Sequence, residues 1–86
     1  MMNINKMFEY LQQNLISHTV KIEDNKIKAK KKHNWGRFLN FTLTYLKNNE
    51  VSLSLSVPSK TRRYDSNTDL FRDLGAFASV EYKGEK

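Results

Sequence analysis

LNFTLTYLKNNEVSLSLSV, residues Leu39–Val57, holds two runs of alternating residues around one polar loop. Leu39, Phe41, Leu43 and Tyr45 alternate with Asn40, Thr42, Thr44 and Leu46. After the loop, Val51, Leu53, Leu55 and Val57 alternate with Ser52, Ser54 and Ser56. A period of two puts one set of side chains on each face of a strand. A two-residue loop at Asn48-Asn49 sets Tyr45 and Leu43 opposite serines. A three-residue loop at Lys47-Asn48-Asn49 pairs Tyr45 with Val51, Leu43 with Leu53 and Phe41 with Leu55. The second choice matches apolar to apolar, and asparagine tolerates the left-handed conformation that such a loop needs at its last position. The stretch is therefore an antiparallel hairpin with one apolar face and one face of Ser and Thr.

The same pattern recurs upstream. Val20 and Ile22, then Ile27 and Ala29, alternate with polar residues around Asp24-Asn25. A two-residue turn there pairs Ile22 with Ile27 and Val20 with Ala29. The opposite face then carries Glu23 with Lys26, Lys21 with Lys28, and Thr19 with Lys30. Lys21 against Lys28 is a like-charge pair, mildly destabilising alone and tolerable where the face meets an anion. Further upstream, Ile4, Met7, Phe8, Leu11 and Leu15 recur every three or four residues, the apolar stripe of a helix with Asn3 as its N-cap. Downstream, Pro58 ends the last alternating run, and Ser59–Asp65 reads as a polar, basic loop. Ser66 opens a short helix with Asp69 three residues on, Leu70, Phe71 and Leu74 facing inward, and Gly75 just past its end. Ala76–Tyr82 reads as a returning strand. The expected fold is a single α+β domain over residues 1–86. It has an antiparallel four- or five-stranded sheet, an N-terminal helix and a short C-terminal helix packed on one face, in the order α-β-β-β-β-α-β.

Charge is unevenly placed. The chain has 86 residues and a formal net charge of +6, from 15 Lys+Arg against 9 Asp+Glu. Between Lys26 and Arg37 lie six basic residues and no acid, so the remaining nine cations balance the nine acids. A localised positive field points to a polyanionic partner. No cysteine is present, which removes disulfides and thiolate chemistry and fits a reducing, cytoplasmic setting. No apolar run reaches the ~20 residues of a membrane span, and no secretory leader is evident, so a membrane is not expected as a partner.

Catalytic patterns are sparse. His18 and His33 lack metal-ligand spacing. Asp65, Asp69 and Asp73 recur at every fourth position, a pattern more typical of N-terminal helix charges than of a metal site. Glycine-rich phosphate loops and nucleophile elbows are absent. An enzyme, a metal site and a cofactor are therefore not expected. The α-β-β-β-α portion resembles the topology of the double-stranded-RNA-binding domain. That family places a lysine cluster at the start of its last helix; here that helix carries Asp69 and Asp73 and only Arg72, so membership is not assigned.

The expected site is a basic-aromatic edge. Hairpin topology brings the loop after the second strand to the same sheet end as the loop Ser59–Asp65. Lys28, Lys30, Lys31, Lys32, Trp35 and Arg37 would then meet Lys60, Arg62, Arg63 and Tyr64. Lysines neutralise phosphates as point charges and arginines bind them in bidentate fashion, while Trp35 and Tyr64 offer rings for base stacking. The expected activity is nucleic-acid binding, to DNA or RNA, without catalysis. The rival expectation is a phage- or mobile-element-type inhibitor or regulator, anti-CRISPR-like or a host-takeover protein. It would dock on an acidic protein or nucleoprotein surface. The hydroxyl face of Thr42, Thr44, Ser52, Ser54 and Ser56 also leaves a homodimer open.

Overall fold

A computed structural model describes residues 2–16, 18–31, 40–55 and 60–77. Helix α1 (Ile4–Asn14) is followed by strands β1 (His18–Glu23), β2 (Lys26–Lys31), β3 (Phe41–Tyr45), β4 (Val51–Leu55) and β5 (Lys60–Tyr64), then helix α2 (Asn67–Phe77). The strands form one antiparallel sheet in the order β1-β2-β3-β4-β5, each beside its neighbour in sequence. An α+β fold with an N-terminal helix, five antiparallel strands and a C-terminal helix is what the alternation and the amphipathic stripe lead one to expect.

Both hairpins keep the expected register. Ile22 pairs with Ile27 and Val20 with Ala29; Tyr45 pairs with Val51, Leu43 with Leu53 and Phe41 with Leu55. Each turn rests on an Asx residue in the left-handed region: Asp24 has φ 51°, Asn48 has φ 66° and Asn49 has φ 61°. Asn25 then joins the hairpins. Its carbonyl accepts from the Tyr45 amide at 2.8 Å, and its Nδ2 donates to the Tyr45 carbonyl at 2.9 Å. With β2 and β3 pinned there, Ile27 lies opposite Leu43 and Ala29 opposite Phe41.

Helix α1 starts at Asn3, whose side chain accepts from the Lys6 amide at 2.9 Å. Helix α2 starts at Ser66, whose Oγ accepts from the Asp69 amide at 3.2 Å. Both helices lie against one side of the sheet. Met7, Leu11 and Leu15 from α1 and Leu70 and Leu74 from α2 share a core with Val20, Ile27, Ala29, Phe41, Leu43, Val51, Leu53, Leu55 and Tyr64. Tyr10 of α1 meets Phe71 of α2 with ring centroids 5.2 Å apart. A clasp closes the molecule: the Met2 amide donates to Asn67 Oδ1 at 3.2 Å, and the Tyr45 hydroxyl donates to the Met2 carbonyl at 2.7 Å.

Two expectations are corrected after residue 55. The segment expected as the loop Ser59–Asp65 contains β5, which pairs with β4 from Leu55↔Lys60 to Val51↔Tyr64. Its residues lack apolar alternation because, among the described residues, it is an edge strand: only Tyr64 is buried, and the charges before it deter further strand pairing. Helix α2 runs through Gly75 to Phe77, so Ala76 and Phe77 are helical where a strand is expected. A glycine near a helix end costs only ~1 kcal/mol relative to alanine, and the chain continues through it. The fifth strand thus precedes α2; residues 78–82 of the expected last strand, and Pro58, lie outside the described residues.

Candidate nucleic-acid interface

Strand parity and register give the sheet a second face, opposite the helices. Its rows are Glu23, Lys26, Thr44, Ser52 and Arg63; then Lys21, Lys28, Thr42, Ser54 and Thr61; then Thr19 and Lys30. All of these side chains are exposed or half-buried. Among the strand-paired residues of this face, Lys21, Lys26, Lys28, Lys30 and Arg63 stand against one carboxylate, Glu23. The hydroxyls form a neutral floor between the lysines of β1 and β2 and the arginine of β5, and Ser54 and Thr61 lie 3.4 Å apart across the β4–β5 pair. Four strand spacings of ~4.8 Å make this face about 19 Å wide.

The electrostatics centre on Glu23. Its Oε1 lies 2.8 Å from Lys28 Nζ, with both side chains about half exposed or more. The Lys28 hydrogen bond and charge, with smaller contributions from Lys21 and Lys26, hold the Glu23 carboxyl below its ordinary 4.5. Lys28 thus leans diagonally toward Glu23, away from the directly opposite Lys21. A shallow hollow of about 170 Å³ lies among Thr19, Lys21, Glu23, Lys28 and Lys30.

The expected site residues divide on this frame. Lys28, Lys30 and Arg63 share the open face. Lys31 ends β2 opposite His18, while Lys32, Trp35 and Arg37 lie outside the described residues. Lys60 begins β5 opposite Leu55, at the sheet end where β2 stops and β3 begins. From there β5 runs away from that end, so Arg62, Arg63 and Tyr64 lie along a strand and not in a loop beside Lys30; residues 32–37 of the expected edge lie outside the described residues. Arg62 lies on the helix side, with Nη1 3.8 Å from Asp73 Oδ2. Tyr64 is only 7% exposed and its hydroxyl donates to Asp73 Oδ2 at 2.5 Å. A ring buried in this way offers no face for base stacking, which corrects its expected role.

Lys21 and Lys26 complete the face but are not among the expected site residues. Their signal is parity: once Ile27 is set opposite Leu43, Lys21 of β1 and Lys26, Lys28 and Lys30 of β2 must share the side of Thr42, Thr44, Ser52 and Ser54. On the helix side, Asp69 Oδ1 meets Arg72 Nη2 at 3.0 Å and Asp73 serves Tyr64, Arg62 and Arg72. Among the described residues no group of three His, Asp or Glu is placed to hold a metal ion, and no helix is long and apolar enough to cross a membrane.

Two tyrosines carry a pH consequence. Burial pushes the Tyr45 hydroxyl from its ordinary 10 to about 12, and burial followed by the Asp73 hydrogen bond and charge pushes Tyr64 to about 12. Both shifts favour the neutral phenol in the folded state. The stability they contribute is complete below pH 10 and is lost as the pH rises through 12. An ultraviolet tyrosinate titration is expected to show late-ionising absorbance that falls by one tyrosine in Tyr45→Phe and by one in Tyr64→Phe. Ionisation in step with free tyrosine in the folded protein would contradict this.

In comparisons with family models, curated proteins and solved structures, the chain has no significant match.

Proposed function

We propose that this protein binds nucleic acid, without catalysis, by laying the phosphate backbone over the open face of its sheet. The observation that supports this is the register that gathers Lys21, Lys26, Lys28, Lys30 and Arg63 on the side opposite both helices. Lysine and arginine neutralise phosphates, and the hydroxyls of Thr42, Thr44, Ser52, Ser54 and Thr61 add neutral hydrogen bonds to the same oxygens. A protein partner of comparable area calls for an apolar or aromatic centre. The centre of this face is Thr42, Thr44, Ser52 and Ser54. Charges and hydroxyls without that apolar centre suit a phosphodiester chain better than an acidic protein.

Salt dependence tests this directly. If three to five phosphates are neutralised, log affinity for duplex DNA falls with log salt at a slope of about −2.7 to −4.5. Titrations of single- and double-stranded DNA and RNA, with polyglutamate as a comparison, separate the partners. Absence of nucleic-acid binding at low salt, or salt-insensitive binding, overturns the proposal; polyglutamate bound as tightly as nucleic acid transfers the face to an acidic protein.

A further inference from the structure

The five cations of the open face are not equivalent. Lys21, Lys28 and Lys30 border one hollow of about 170 Å³, joined by the Thr19 hydroxyl and the Glu23 carboxylate. Lys21 lies directly opposite Lys28 across β1 and β2, and Thr19 directly opposite Lys30. Like charges facing each other across a strand pair repel. Glu23 relieves part of that repulsion by drawing Lys28 diagonally to 2.8 Å. One carboxylate among three ammonium groups leaves the hollow positive, with Thr19 as a neutral donor at its side.

We propose that this hollow is the main phosphate subsite of the open face, with Glu23 as a built-in competitor that weakens it; the assignment to a nucleic-acid phosphate rests on the function proposed above. A phosphodiester seated there accepts from Lys21, Lys28 and Lys30 and from the Thr19 hydroxyl. It replaces Glu23 as the counter-charge of Lys28. Arg63 stands on the opposite edge strand and Lys26 beside Glu23, outside the residues that line the hollow. They neutralise neighbouring phosphates without sharing this one.

Glu23→Gln removes the competitor while keeping the shape of an exposed side chain. Breaking an exposed ion pair of this kind is worth up to about a fivefold change in an equilibrium, so phosphate and duplex should each bind up to about fivefold more tightly. The slope of log duplex affinity against log salt should stay nearly unchanged, because the same phosphates are neutralised in both proteins. The experiment has two arms. In the first, inorganic phosphate is titrated into wild type and Glu23→Gln at constant ionic strength, followed by NMR at the backbone amides. Shifts confined to Thr19–Glu23 and Lys26–Lys30, larger at equal phosphate in the variant, support the subsite. Shifts spread over the surface or centred on Ser52 and Arg63, or equal affinities in both proteins, overturn it. In the second arm a duplex is titrated by fluorescence anisotropy. Duplex binding with no phosphate response at the hollow refutes the subsite and leaves the proposed function standing. A phosphate response at the hollow without duplex binding supports an anion subsite and refutes the nucleic-acid function.

Discussion

Replacing Lys21, Lys28 and Lys30 together with glutamine is expected to lower affinity for a duplex by about an order of magnitude in about 0.1 M salt. Each neutralised phosphate contributes about 0.9 to the salt slope and roughly eightfold to affinity at that salt concentration, so losing the phosphate of the hollow flattens the slope by about 0.9. The fold is expected to persist, because these side chains are exposed and none belongs to the core. Loss of the Lys28–Glu23 pair and relief of the Lys21–Lys28 repulsion act in opposite directions on stability. Net charge alone also alters nucleic-acid binding, so the control is Lys6→Gln with Lys47→Gln. These two exposed lysines lie on α1 and in the β3–β4 loop. Anisotropy titrations over a salt series check both. Equal losses in variant and control would show a diffuse charge effect and remove the open face from the explanation.

Phe41→Ala is expected to destabilise the fold by about 3–5 kcal/mol, the usual cost of emptying a large aromatic site in a core. Phe41 is 2% exposed on the central strand β3, between Ala29 of β2 and Leu55 of β4. The ring of His18 lies 5.5 Å from it, so the cavity would open beneath β1 as well. Proteins of this length have stabilities of about 4–13 kcal/mol, and the substitution removes a large share of that. Urea unfolding followed by circular dichroism should show a lower midpoint at unchanged slope. A loss under about 1 kcal/mol would mean that the ring is not enclosed and that the register of β3 is wrong.

Hairpin register is legible in this chain because two periodicities must agree with one loop length. Only one choice sets Leu43 opposite Leu53, and only one sets Ile22 opposite Ile27. Asn3 and Ser66 are legible because capping is local chemistry. Strand β5 is not, because an edge strand needs neither alternation nor a second apolar face; its evidence is the unpaired edge of β4, which exists only after the sheet is assembled. Tyr64 misleads for the same reason. Within Arg62-Arg63-Tyr64 it reads as a surface ring, and only its position opposite Val51 shows it to be core. The candidate site is half legible: a concentration of charge can be counted along the chain, but the face it occupies follows from how Asn25 locks one hairpin to the next.

The consecutive strand order also bears on how the chain reaches this structure. Each strand zips onto the one before it through a nearby turn, so sheet assembly demands little loop closure. A meander pairs strands that are neighbours in sequence, which lowers contact order and is expected to speed folding relative to β-rich domains with non-sequential pairing. The clasp between Met2 and Asn67, 65 residues apart, is the opposite kind of contact. It closes nearly the whole chain for one hydrogen bond, so it forms after the sheet has brought its ends together and is among the first bonds to open when the native state breathes.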